Sequence, residues 1–293
     1  MYTRWIAAPV VLSIFLSVFS CGGGLAHALN TTTAVAPGGA VPQSAPAVAS
    51  NGTTLLAAWA ETGGVYATRI DATTGAILDT NPTRLATSNA STIDIASLGS
   101  GFLVVWSAGT GIFAATVTDA GVATSVTVNA FGSEPAVAAA ASNYLVTWVN
   151  AGQVEATVLD ANAGSLTNGG FVVSADGAHP TAASNGSAFL LSWMSMSTAQ
   201  LRAQRFSTSG QPIDAAPIVV SSTPIAAARP SATYTSSGYF LAWGSAPPAA
   251  GTTPTRTAEL VVPGLGNKLI AFGTRLTPRW LVRKIAARLP ESV

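Results

Sequence analysis

Cysteine is almost absent from this chain: Cys21 is the only one among 293 residues. The body of the protein therefore has no thiol for a disulfide, a metal cluster or a nucleophile. Lysine is limited to Lys268 and Lys284, histidine to His27 and His179, and charged residues make up only 9% of the chain. So little charge leaves no electrostatic footprint for nucleic acid. With 48% hydrophobic residues the composition is not that of a disordered segment either. The net charge of +1 hides an asymmetry: residues 29–265 carry six arginines against eleven carboxylates, and residues 266–289 carry six basic groups and no acid.

Long apolar runs are missing as well. The run from Trp5 to Phe19, preceded by Arg4, falls short of the roughly 20 residues of a membrane helix and reads as a secretory signal. Ala26-His27-Ala28 fits an ordinary signal-peptidase site, giving a signal over residues 1–28. Val18-Phe19-Ser20-Cys21 is the competing site, a lipobox that would lipidate Cys21 ahead of a Gly22-Gly23-Gly24 tether. Both readings send the protein out of the cytoplasm, to the periplasm, the outer membrane or the medium.

What is present is a repeat. Trp59, Trp106, Trp148, Trp193 and Trp243 recur every 42 to 50 residues. Three residues before each stands Leu56, Leu103, Leu145, Leu190 or Phe240, and thirteen before each stands Pro46, Ile93, Pro135, Pro180 or Pro230. A strand-built period in the forties is the signature of propeller blades. The fold class expected is all-β, a five-bladed β-propeller over residues 29–265 with four strands to a blade. The fifth unit lacks a fourth strand, and Thr31 to Val35 is expected to supply it and close the ring. Turn residues separate the strands: Asn51-Gly52, Gly99-Ser100-Gly101 and Asn185-Gly186 in first hairpins, and Asp71, Asp119 and Asp160 leading into Gly75, Gly121 and Gly164. Along each second strand, positions −4, −2 and 0 relative to the tryptophan share one face and −3 and −1 the other. Both faces are apolar, which assigns the indoles to the packing between blades rather than to ligand stacking.

The phrase Phe102-Leu103-Val104-Val105-Trp106, followed by a turn and a third strand ending in Asp and Gly, resembles a family of bacterial exported proteins, many of them lipoproteins, built of Trp-containing propeller repeats. The resemblance covers roughly residues 40–265 and implies architecture rather than activity. The third strands here lack much of the charge those repeats carry. Beyond the body, Thr277 and Pro278 open an expected basic amphipathic helix running to about Leu289, within a tail of residues 266–293, suited to docking on the body or to an anionic membrane surface. From Val262-Pro263-Gly264 onward that tail also resembles the C-terminal end of some short-chain dehydrogenases. The chain holds no Tyr-x-x-x-Lys pair and no Gly-x-x-x-Gly-x-Gly turn, so that chemistry is not implied.

Catalytic signatures are scarce. There is no Gly-x-Ser-x-Gly elbow, no zinc-ligand spacing and no phosphate loop, so neither a cofactor nor a metal is expected. The informative pattern is the position fourteen residues before each tryptophan: Ala45, Thr92, Glu134, His179 and Arg229. Placed immediately before the innermost strands, these residues would ring one mouth of a central channel, joined by Asp94. Thr92, Asp94, Glu134, His179 and Arg229 are the candidate ligand site, for a glycan or protein partner. The expected function is a non-enzymatic binding scaffold at the cell envelope. The alternatives are a carbohydrate-active hydrolase using Glu134 and Asp94, since glycosidic cleavage needs paired carboxylates, and a structural envelope protein with no small ligand.

Overall fold

A computed structural model describes residues 42–118, 121–221, 224–225, 227–236, 238–244 and 258–259. The signal, Cys21, the Thr31–Val35 closing strand, Asp119 and the tail helix fall outside these residues.

Each repeat folds as an up-and-down antiparallel sheet. The first sheet holds β1 (Gln43–Ser50), β2 (Thr54–Glu61), β3 (Gly64–Asp71) and β4 (Thr83–Ala86). The second holds β5 (Thr92–Leu98), β6 (Gly101–Ala108), β7 (Gly111–Thr118) and β8 (Gly121–Asn129), and the third β9 (Ser133–Ala140), β10 (Asn143–Asn150), β11 (Gln153–Asp160) and β12 (Phe171–Ser174). The fourth comprises β13 (Ala178–Ser184), β14 (Ala188–Met194), β15 (Leu201–Ser207) and β16 (Ile218–Val219). The fifth shows three strands among the described residues: β17 (Ser231–Thr235), β18 (Gly238–Ala242) and β19 (Ala258–Glu259). The first strands of successive sheets, β1, β5, β9, β13 and β17, lie against one another. That is the arrangement of β-propeller blades about an axis.

The turns form as their residues dictate. Asn51 Oδ1 accepts from the Thr53 and Thr54 N–H groups, and Gly52 takes φ 97°. Asn185 repeats the arrangement with Ser187 and Ala188. Asp71 and Asp160 bond the main chain of their own turns, through Thr73 and Thr74 and through Asn162 and Gly164.

Four clusters of buried side chains fill the spaces between consecutive sheets, and the second strands supply both walls. Phe102, Val104 and Trp106 face the first sheet, meeting Leu56 and Ala58. Tyr144, Val146 and Trp148 meet Leu103 and Val105, and Phe189, Leu191 and Trp193 meet Leu145 and its neighbours. Tyr239, Leu241 and Trp243 meet Leu190. Every tryptophan after the first thus points at the preceding sheet, while positions −3 and −1 point at the following one. The third-strand alanines Ala67, Ala115, Ala156 and Ala203 belong to these clusters and are all at most 3% exposed.

Two faces are left without a described sheet opposite. The −4, −2 and 0 face of the first sheet forms a cluster of its own, Leu55, Ala57, Trp59 and Ile70. On the fifth sheet the far face carries Thr233, Phe240 and Ala242, of which Thr233 and Ala242 are exposed.

Candidate functional site

The proline thirteen residues before the tryptophan shapes the start of the inner strand. In β1, β9 and β13 the ladder slips by one residue, so that Ala45-Pro46, Glu134-Pro135 and His179-Pro180 each stand opposite a single tryptophan: Trp59, Trp148 and Trp193. This is a β-bulge, tolerant of proline because the bulged segment has given up its ladder bonds. The residue ahead of each proline is forced into the left-handed region, with φ 48° at Ala45, 54° at Glu134 and 53° at His179. The second sheet, with Ile93 in place of proline, pairs Thr92 with Ser107 and Ile93 with Trp106 without a slip.

The bulge corrects one expectation. Ala45, Thr92, Glu134 and His179 were expected just before the inner strands, and they lie inside them: the ladder continues on both sides of the bulge at Ala45, Glu134 and His179 and runs unbroken through Thr92, while Arg229 stands two residues ahead of β17.

The carboxylates reach from sheet to sheet. Glu134 Oε2 accepts from the His179 main-chain N–H at 2.9 Å and from His179 Nδ1 at 2.9 Å. It thereby satisfies a donor on the bulge of the next sheet. Asp94 Oδ2 accepts from the Val137 N–H of the third sheet at 2.9 Å, and its Oδ1 accepts from the Ile95 N–H at 2.9 Å. Inner strands are sheet edges, and these acids cover main-chain donors that no strand pairs. Burial pushes the Asp94 carboxyl above its ordinary value, against the opposing pull of the Val137 N–H, the Arg229 charge and the Ile95 N–H. Burial lowers the Arg229 guanidinium in turn, opposed by the charges of Asp94 and Glu134. Arg229 Nη2 is buried with no hydrogen-bond partner among the described residues.

Asp94, Glu134, His179 and Arg229, from four consecutive sheets, are thus linked by hydrogen bonds or by charge. Thr92 occupies the equivalent place in β5, and no hydrogen bond joins its hydroxyl to the other four among the described residues. The repeat made these positions legible. Their main-chain partners were not, since an N–H group carries no sequence signature.

Two further features escaped the sequence. Asp176, between β12 and β13, accepts from Ser197 Oγ at 2.6 Å, Ser195 Oγ at 2.8 Å and the Met196 N–H at 3.0 Å, pinning the turn that follows β14. The hydroxyls of Ser197 and Ser195 hold its carboxyl below the ordinary value, outweighing burial. Between the third and fourth sheets, a groove of about 640 Å³ is lined by Leu166, Phe171, Val172, Gln204, Gln211 and Pro212 among others, with no charged side chain in its wall.

No family model matches the chain, and no curated protein matches it. Among solved structures it is similar to the Dos1 propeller, with TM-score 0.45 and 15% identity over 68% of this chain and 53% of that one. It is also similar to the GH43_1 enzyme from Xanthomonas citri complexed with xylose, with TM-score 0.44 and 12% identity over 69% of this chain and 81% of that one. TolB from Acinetobacter baumannii shows TM-score 0.42 and 12% identity over 70% of this chain and 52% of that one. The match thus spans about half the length of the Dos1 and TolB chains. No activity or ligand transfers at this level of likeness.

Proposed function

We propose that this chain is an exported β-propeller that serves as a binding scaffold at the bacterial cell envelope, with its ligand site at the mouth formed by the inner-strand bulges. The observation that carries the reading is the convergence of Asp94, Glu134, His179 and Arg229 from four consecutive sheets, two of them on left-handed residues. Backbone held in that region by its surroundings is a mark of sites as well as of turns. Ala45 shows that the bulge itself is structural, so the polar side chains on its counterparts are the added element.

The propeller is proposed to be a closed ring of five blades. Four interfaces each join the −4, −2 and 0 face of one sheet to the −3 and −1 face of the preceding one. The faces left over, Leu55, Ala57, Trp59 and Ile70 on the first sheet and Phe240 and Ala242 on the fifth, are the complementary halves of a fifth such interface. Thr31 to Val35 would complete the last blade beside β19. Lipidation at Cys21, or the basic tail, would bring the body to a membrane.

A binding screen against glycans and envelope extract, with wild type beside a Glu134→Ala, His179→Ala, Arg229→Ala triple variant of equal melting temperature, tests the site. We expect binding that the variant loses; binding that survives in it would move the site to the blade edges, the groove or the tail. A hydrolytic reading draws on the Asp94 carboxyl, which burial shifts upward, the direction a general acid requires. It is the weaker reading because Asp94 and Glu134 are both tied to main-chain N–H groups. Polysaccharide cleavage abolished by Glu134→Gln would favour it.

A further inference from the structure

The donors and acceptors left unused at this mouth define the group that would fill it. A carboxylate only accepts, so His179 Nδ1 carries the hydrogen it shares with Glu134 Oε2. In the neutral ring Nε2 is then an acceptor, and it has no partner among the described residues. Glu134 Oε1 likewise accepts nothing among the described residues, its sister oxygen taking both His179 bonds. Both Asp94 oxygens are engaged by main-chain N–H groups. Arg229 Nη2 is the opposite case, a buried donor with no acceptor. A ligand oxygen that accepts from it would recover the free energy lost by leaving a buried donor unpaired.

Charge decides what carries that oxygen. Glu134 and the Arg229 guanidinium stand together at the mouth, so an anion entering it meets Glu134 and a cation meets Arg229. A neutral hydroxyl avoids both penalties, because it accepts and donates at once. The Glu134 and His179 side chains are 32% and 24% exposed, so their unused atoms are within reach of a molecule arriving from solvent. Trp106, Trp148, Trp193 and Trp243 are committed to the cores between sheets and Trp59 to a buried cluster of its own, which leaves recognition to polar contacts.

Resting on the mouth as the binding site, we propose that it takes a neutral polyhydroxylated ligand. Neighbouring hydroxyls of that ligand donate to Glu134 Oε1 and His179 Nε2, and one accepts from Arg229 Nη2, which is closed to solvent and reached by a turn of the guanidinium toward the mouth. The probes are glucose, galactose and mannose, titrated into the full chain beside glucuronate and glucosamine as the matched anion and cation. We expect at least one neutral hexose to bind, its charged counterparts to bind tenfold or more weakly, and Glu134→Gln and Arg229→Gln each to weaken the hexose tenfold or more. Glu134→Gln keeps the size of the side chain, so it reports the lost acceptor even if the arginine variant fails to fold. Tighter binding of glucuronate or glucosamine, still lost in Glu134→Gln, would overturn the ligand class and leave the mouth as the site. Hexose binding that survives both variants would overturn the mouth itself. Absence of binding by all three hexoses would overturn the neutral-polyol class, with the envelope screen still deciding the site.

Discussion

Trp148 is fully buried between the second and third sheets, and its indole N–H donates to Glu155 Oε2 at 3.0 Å. Trp59 has a similar partner in Glu61, whereas the indole N–H groups of Trp106 and Trp193 are buried without one among the described residues. Hydrogen bonding is therefore not what the repeat requires of this residue; filling the space between sheets is. Replacing Trp148 with alanine is expected to cost about 3–5 kcal/mol in urea unfolding. An unchanged midpoint would remove it from the core. Gly132 tests the same contact from the other side. Its φ is 150°, and a Cβ there would meet Trp148 Cδ1 at 2.6 Å. Gly132→Ala should destabilise by about 1–3 kcal/mol, and a neutral result would show that the indole has room to shift.

At the scale of the strand, the bulge opposite the tryptophan does two things: it interrupts regular pairing and it holds the residue ahead of the proline in the left-handed region. Acids of the preceding sheet bind main-chain donors of this edge strand, Glu134 on the N–H of His179 in the bulge and Asp94 on the N–H of Val137, which lies beyond the bulge and pairs regularly with Val146. Asp94 makes this arrangement sensitive to pH. Its folded value lies above the ordinary 3.8, so its contribution to stability is fully present below 3.8 and is lost as pH rises through the folded value. The stability of wild type relative to Asp94→Asn should accordingly improve as pH falls from 7 toward 4; a difference independent of pH would contradict the shift. The outer strands work in the reverse sense. Burial alone would raise Asp79 and Asp214, but bonds from Arg69 and Arg205 outweigh it and hold both below the ordinary range. Asp79 and Asp214 contribute stability above 3.8 that is lost as pH falls through their lowered values. The Asp94 effect therefore has to be read as a difference between variant and wild type.

For the whole molecule, closure of the ring is the open energetic question. An unpaired end would expose an apolar sheet face and the free edge of β19. Deleting residues 29–41 removes the proposed closing strand, and it is expected to lower the melting temperature and promote self-association, read by light scattering. A deletion variant as stable and monomeric as the parent would argue against closure by that strand. The sequence by itself determined the repeat, the blade-like sheets and the two-faced burial of the second strands. Each of these depends on local alternation and on spacing along the chain, and alternation counted from the tryptophans predicted which side chains share a sheet face. It also placed Thr92, Glu134, His179 and Arg229 at equivalent positions, with Asp94 two residues beyond Thr92. Only the tertiary structure decided that Glu134 binds the His179 main chain, that Asp94 binds the Val137 N–H, and that Arg229 is left with an unused donor beside them. Those contacts join residues 43 to 45 positions apart through main-chain groups that every residue type shares, so they arise only when consecutive sheets are packed face to face.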